Sequence, residues 1–357
     1  MPAKSMRYVA AGIVLLATAA IGHAQVAPSA IAYRDAVRVY VKTGEPAIGI
    51  KPMLGWDRTA LEAVIAETIA SGDAALIEAA SVMHLEIGVA IAGLSTASAH
   101  GHFELGTLLV DSLLPVKPED RRNLSAARIE EVTLIRATYL GVAGSAFLSV
   151  NDIMRARTFF ARALKIAPKS PAILTLQGSA DELEGGALNP EDVESPTMRA
   201  RAARERHRLL LRAEERYRDA LEADPNYPLA QIRLGRVQHL LNERKAAAEW
   251  LAKGSAAATE PSHRYLAAMF TGALQQDQKD LAGARKSFER ALTVSPRSQN
   301  ATVALAYVEL LSGRPDHAQA LARSYTGTPN SDDGWWAYKS GSLDSVGLQW
   351  MRRRVRK

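Results

Sequence analysis

His84, His100 and His102, with Glu86 and Glu104 interleaved, bring three of the chain's eight histidines, side chains that ligate zinc or move protons, within about twenty residues. A zinc site needs several such groups converging on one ion. On a helix, however, His84 and Glu86 stand two residues apart and face different ways, and the spacing matches no named metal motif. His84 is expected to pack between helices, and His100 with His102 to mark a polar turn. The chain has no G-x-S-x-G, no H-E-x-x-H, no phosphate-cradling G-x-x-x-x-G-K and no dinucleotide fingerprint. It has no cysteine, so neither thiol chemistry nor a disulfide framework is available. No catalytic residue, metal ligand or cofactor site is therefore assigned, and the chain reads as a non-enzyme.

The remaining chemistry is charge. The formal net charge is +6, but Lys4 and Arg7 belong to an N-terminal leader, and the tail holds Arg352, Arg353, Arg354, Arg356 and Lys357. Once both are set aside the body is close to neutral, so no nucleic-acid role is expected, and the tail reads as a solvated basic end. The leader has an apolar run from Tyr8 to Ile21 followed by Gly22-His23-Ala24, the pattern of an export signal cleaved after Ala24. That run is short for a spanning helix, and no second run of spanning length is expected. The mature chain is thus expected to be periplasmic or secreted, without a transmembrane segment. A second basic cluster, Arg199, Arg201, Arg204, Arg206 and Arg208, follows Ser195-Pro196, where proline favours a helix start. It predicts an elongated solvated helix or, more sharply, a docking arm for an acidic partner that salt would weaken.

The elements that position these groups are set by a spacing that recurs three times: Ala156, Phe160, Ala163, Pro168; Ala213, Tyr217, Ala220, Pro225; and Ala284, Phe288, Ala291, Pro296. Residues three and four apart share a helix face, so small alanines admit a neighbouring helix and the ring fills the gap. Proline beyond the end stops the helix, because it has no N–H to donate. Gly144 and Gly272 stand twelve residues before the first alanine of two copies, where a paired helix needs a close crossing. Gly235 opens a degenerate copy carrying Ala247 and Leu251. Gly178 opens another, but it lies thirty-five residues before Ala213, which implies an insertion near 182–212. Within it, Gly185-Gly186 and Asn189-Pro190 are expected to make a loop.

This pattern resembles the tetratricopeptide repeat (TPR), in particular exported bacterial TPR proteins of unassigned function. The resemblance implies an all-α fold, a right-handed superhelical solenoid of stacked helix pairs over 137–325. Residues 25–136, with apolar spacing in Ala30–Tyr40, Asp57–Ala70, Asp73–Leu94 and Phe103–Leu114, are expected to form degenerate TPR-like hairpins, with Asp73 and Asp120 as N-caps. Residues 326–357 form a Trp-rich cap and the basic tail. The D-x-x-W-W-x-Y run from Asp332 cannot cheaply leave its rings in water; it is expected to close the last hydrophobic face or, alternatively, to fold back into the groove as an internal ligand.

By the same resemblance, first helices line a concave peptide groove, whose candidate residues here are Leu229, Ile232, Arg233, Arg236, His239, Met269, Phe270 and Tyr307. The expected partner is a protein or peptide segment with hydrophobic anchors and an acidic group, because arginine pairs well with carboxylates. The expected function is a non-enzymatic binding scaffold of the cell envelope. An architectural, self-assembling subunit is the alternative, and a metal-dependent enzyme at the histidines comes last.

Overall fold

The computed structural model describes residues 29–45, 58–115, 124–324, 333–340 and 343–356, and its regular structure there is helical throughout. The leader, Asp57, Asp120 and residues 326–332 lie outside the described residues. The chain divides into two compact units, one of residues 1–168 with 343–357 and one of residues 169–342.

Unit 1 contains α1 (Ala30–Thr43), α2 (Arg58–Ala70), α3 (Ala74–Ile91), α4 (Thr96–Ser112), α5 (Ala126–Ser149), α6 (Ile153–Ile166) and α16 (Leu343–Val355). Ser29, Asp73, Ser95, Ser125 and Asp152 cap five of these, each side chain accepting an otherwise orphaned first-turn N–H. Helices α3/α4 and α5/α6 form antiparallel pairs. A Cβ at Gly144 would come within 2.4 Å of the Phe160 ring, and one at Gly88 within 2.3 Å of Phe103. The bare backbone is what lets each ring seat, and burying a ring contributes about 2–3 kcal/mol. The Gly88–Phe103 pair makes α3/α4 a full member of the series. Ser95 starts α4 well before the expected Phe103, so His100 and His102 lie within a helix rather than in a turn.

Contrary to expectation, two further helices are apolar and long enough to cross a membrane by composition alone: α3 and α5, with mean hydropathy 1.6 and 1.3. Both are largely buried inside the protein, as core helices are.

Unit 2 contains α7 (Pro171–Ala187), a 3-10 turn (Pro190–Asp192), α8 (Pro196–Ala223), α9 (Pro228–Leu240), α10 (Arg244–Ala257), α11 (Pro261–Asp277), α12 (Leu281–Val294), α13 (Gln299–Leu311), α14 (Pro315–Ser324) and α15 (Trp335–Ser340). Four antiparallel pairs run from α7/α8 to α13/α14. Gly178 sits under Tyr217, Gly272 under Phe288 and Gly235 under Leu251, where an added Cβ would approach to 2.6, 2.6 and 2.8 Å. The second-helix alanines Ala156, Ala163, Ala213, Ala220, Ala284 and Ala291 are all fully buried.

Four of these pairs also turn alike. Asn151 in unit 1 and Asn242, Lys279 and Gly313 in unit 2 take left-handed φ values of 63°, 66°, 66° and 72° at the end of a first helix. Ahead of the insertion, Gly185 and Gly186 are not loop residues but part of the last turn of α7, and Gly185 faces Leu209. The loop is confined to the residues around Asn189-Pro190. The added residues instead lengthen α8 to 28 residues, with its first turns exposed. Arg208 pairs with Glu205 there, Arg199 donates to the Val193 carbonyl and Arg206 to that of Leu188.

Candidate functional site

In unit 2 the first helices α9, α11 and α13 present equivalent positions to one face at helical spacing. These are Ile232, Arg233, Arg236 and His239; Met269, Phe270, Ala273 and Gln276; and Val303, Ala304, Tyr307 and Leu310. The structure treats the three rows differently. Leu229, Ile232, Met269 and Phe270 are buried, Arg233 is wholly inaccessible, and Arg236 is half-buried. Tyr307 is 50% exposed, with Val303 at 56% and Leu310 at 55%.

The cover over α9 and α11 is the chain's own aromatic segment. Phe270 meets Trp335 and Tyr338 edge-on, with centroids 6.2 and 5.4 Å away, and the latter two rings lie 4.7 Å apart. Arg233 lies over the Tyr338 ring at 4.8 Å, donates Nη2 to the Tyr338 carbonyl at 2.5 Å, and donates Nη1 to Glu182 Oε2 at 3.1 Å. Tyr217 donates its hydroxyl to the same Glu182 oxygen at 2.5 Å. Burial works against the Arg233 charge, but Glu182 with Tyr217 and Tyr338 more than restores it, so the guanidinium stays charged. Burial, and then Arg233, push the neighbouring His263 down to about 4.

The start of the segment is anchored just as specifically. Asp333 accepts from the Ser298 hydroxyl at 2.8 Å, the Gln299 N–H at 2.9 Å, the Tyr265 hydroxyl at 3.2 Å and the Trp335 N–H at 3.0 Å. One carboxylate thus serves the N-termini of both α13 and α15, where peptide dipoles favour negative charge. Gly334 lies against the Tyr265 ring, which a Cβ would meet at 2.5 Å.

Arg233 therefore departs from the reading as an open groove residue; it is a buried ion-pair partner in contact with the resident segment. Arg236 lies over Phe270 at 5.3 Å, and His239 Nε2 meets Asp277 at 2.7 Å. Burial lowers the His239 pKa, and Asp277 opposes this. Tyr307 is the candidate that remains open. The sequence pattern missed Glu182 and Asp333. Glu182 had a faint signal as a carboxylate on an otherwise apolar first-helix face, and Asp333 as an acidic residue just ahead of a helix start.

In unit 1 Arg353 and Arg356 at the basic end of the chain are exposed, but contrary to expectation Arg352 and Arg354 are partly buried in ion pairs. Arg352 donates Nε and Nη2 to the two oxygens of Glu86 at 2.6 and 2.7 Å, and Tyr40 adds a hydroxyl at 2.5 Å. Arg354 reaches Glu78 at 2.6 Å and Glu131 at 2.8 Å, and Arg356 donates to the Gly44 carbonyl at 2.9 Å. Leu348 and Met351 are buried beside them.

The three histidines do not converge. His84 Nδ1 lies 2.9 Å from His102 Nδ1, and His84 Nε2 lies 3.0 Å from the Tyr33 hydroxyl. His100 packs instead between Phe147 and Phe159, at 6.1 and 5.9 Å. Burial, and then His102, hold His84 well below the usual imidazole range, and burial takes His102 down to about 4. Both rings are neutral at pH 7. Among the described residues no group of three metal-ligating side chains gathers.

No protein-family model matches the chain, and no curated protein does. Among solved structures it is similar to PilF of Pseudomonas aeruginosa, at 16% identity and a TM-score of 0.43 over 63% of this chain and 93% of that one. It is similar to PilW, a widely conserved type IV pilus biogenesis factor, at 17% and 0.43 over 62% and 92%. A thermophilic TPR protein of Thermus thermophilus gives 17% and 0.41 over 65% and 100%. At such scores the overlay is partial. The TPR architecture rests on the helix pairs themselves, with their glycine–ring contacts and equivalent turns.

Proposed function

We propose that the protein is a non-enzymatic scaffold that holds a protein or peptide partner in the cell envelope through the first-helix face of unit 2. One observation carries this reading: a short segment of the chain lies on that face as a peptide ligand would, engaged through rings, a carboxylate and a main-chain carbonyl. The envelope assignment draws on the leader pattern ending at Ala24. The alternative, a self-assembling architectural subunit, draws on the exposed arginines of α8 and the exposed stripe of α13.

Affinity capture from envelope extract with residues Gln25–Lys357, beside a Tyr307→Arg variant, tests the reading. Tyr307 is exposed, so placing a charge there leaves the fold intact. A protein retained by the parent and lost by the variant supports groove binding, and one retained by both moves the site elsewhere. No captured protein together with concentration-dependent self-association supports the architectural reading.

A further inference from the structure

The segment Asp333–Tyr338 holds its place by contacts that a peptide from another chain could reproduce. Asp333 supplies the carboxylate for the α13 N-terminus, Gly334 clears the Tyr265 ring, and Trp335 and Tyr338 supply rings to Phe270. The Tyr338 carbonyl supplies the acceptor for Arg233. Each is a local property of a six-residue sequence. A helix of six residues is not stable alone in water, so the conformation of α15 is imposed by the face beneath it. The fit is also incomplete on the receptor side, because Arg233 Nε is buried without a hydrogen-bond partner.

The segment covers only part of the face. On α13 the positions equivalent to Met269, Ala273 and Gln276 are Val303, Tyr307 and Leu310, an apolar row at the spacing i, i+4, i+7, and all three are more than half or about half exposed. This row continues the receptor face beyond the resident segment. Trp336 is 45% exposed, with Lys339 over its ring at 5.1 Å.

We infer that this face is a binding site for an acidic–aromatic peptide of pattern Asp-Gly-Trp-x-x-Tyr, of which Asp333–Tyr338 is the resident copy. A partner carrying that pattern takes its place and lays further apolar side chains along Val303, Tyr307 and Leu310. The inference rests on the groove-binding reading proposed above and gives that groove its ligand chemistry. The resident copy is tethered at a high effective concentration, so the unmodified chain binds such a peptide weakly, and vacating the face in cis strengthens binding.

The test uses the full chain with Trp335→Ala and Tyr338→Ala, titrated with a fluorescently labelled synthetic peptide of sequence Ser331–Gly341 and followed by anisotropy. The vacated chain is expected to bind roughly tenfold or more tightly than the parent, and peptides with Asp333→Ala or Trp335→Ala to lose roughly tenfold or more. These substitutions lie in the peptide and leave the receptor fold untouched. Absence of binding to about 100 μM peptide, by a vacated chain that keeps the parent's circular dichroism, overturns the inference, as does equal binding of a scrambled peptide.

Should the double variant not fold, hydrogen exchange on the parent decides. Excess peptide is expected to speed exchange at Trp335–Ser340, and unchanged exchange overturns the inference. Peptide failure beside a partner lost on Tyr307→Arg means the groove reads a different motif, whereas failure of both experiments removes the groove reading itself.

Discussion

The two units each dock a short helix from the end of the chain, and they hold it by different physics. In unit 1 Arg352 and Arg354 of α16, with Arg356 just beyond it, meet three glutamates and a carbonyl; these guanidinium groups keep some exposure to water while Glu86 is buried. In unit 2 the six residues of α15 are held by rings and by one arginine that is fully buried with its glutamate. The first is recognition by charge, which salt screens wherever water reaches it. The second depends on desolvation, which salt hardly touches, and on a buried pair that is costly to break. A thirteen-residue helix with several charged contacts is built to stay, whereas a six-residue helix with few anchors is the one a competitor can replace.

The largest expected effect breaks the buried pair. Arg233→Met leaves Glu182 as an uncompensated interior charge and is expected to destabilise by about 3–5 kcal/mol. Arg352→Met leaves the buried Glu86 with its Tyr40 hydrogen bond, beside the place of an arginine that was itself partly exposed, and is expected to lose about 2 kcal/mol. Urea midpoints of the two variants check the order, and equal losses would erase the distinction between the units.

Acid sharpens the comparison next. His84 and His102 are neutral in the folded chain with lowered pKa values, His102 at about 4, while an unfolded imidazole takes up its proton below about 6.5. The unfolded state binds more protons in that window, so the stability is complete above pH 6.5 and falls as pH drops toward 4. A loss on the order of 2 kcal/mol from His102 is expected between pH 7 and 5, with His84 adding to it in the same sense. In unit 2, His263 acts in the same sense. Residue-resolved hydrogen exchange at the two pH values locates the loss, and His102→Asn is expected to reduce it.

The smallest effect concerns the shared turn. Lys279 carries a side chain in a left-handed conformation, so Lys279→Gly is expected to stabilise by about 0.5–1 kcal/mol. Asn151 tolerates that conformation, and Asn151→Gly is expected to be near neutral by thermal melting.

What was legible in the sequence follows from local geometry. The three A-x3-[FY]-x2-A-x4-P copies and their paired glycines placed α5 to α14 in register, because ring and glycine meet within one hairpin and recur at a fixed offset. The Gly88–Phe103 hairpin was legible only as a degenerate pair, because Ala99 keeps the first alanine position but Gly106 replaces the second and no proline follows in register. The end of α7 was misplaced at Gly185-Gly186, because glycine marks a helix end by propensity, whereas here packing on Leu209 carries the helix through. The Asp332 run was expected either to close the last hydrophobic face or to fold back onto the first helices; its described part, Asp333–Tyr338, packs on α9 and α11 and holds Arg233.

The sequence by itself determined the helix pairs, their caps and turns, and the absence of thiol chemistry, since each depends on residues close in the chain. Only the tertiary structure decided which charges are buried. Arg233 meets Tyr338 across 105 residues and Arg352 meets Glu86 across 266. An arginine paired with a distant acceptor looks the same in sequence as one left in water. Its partner is chosen by how the helices stack, and that choice leaves no periodic trace in the chain.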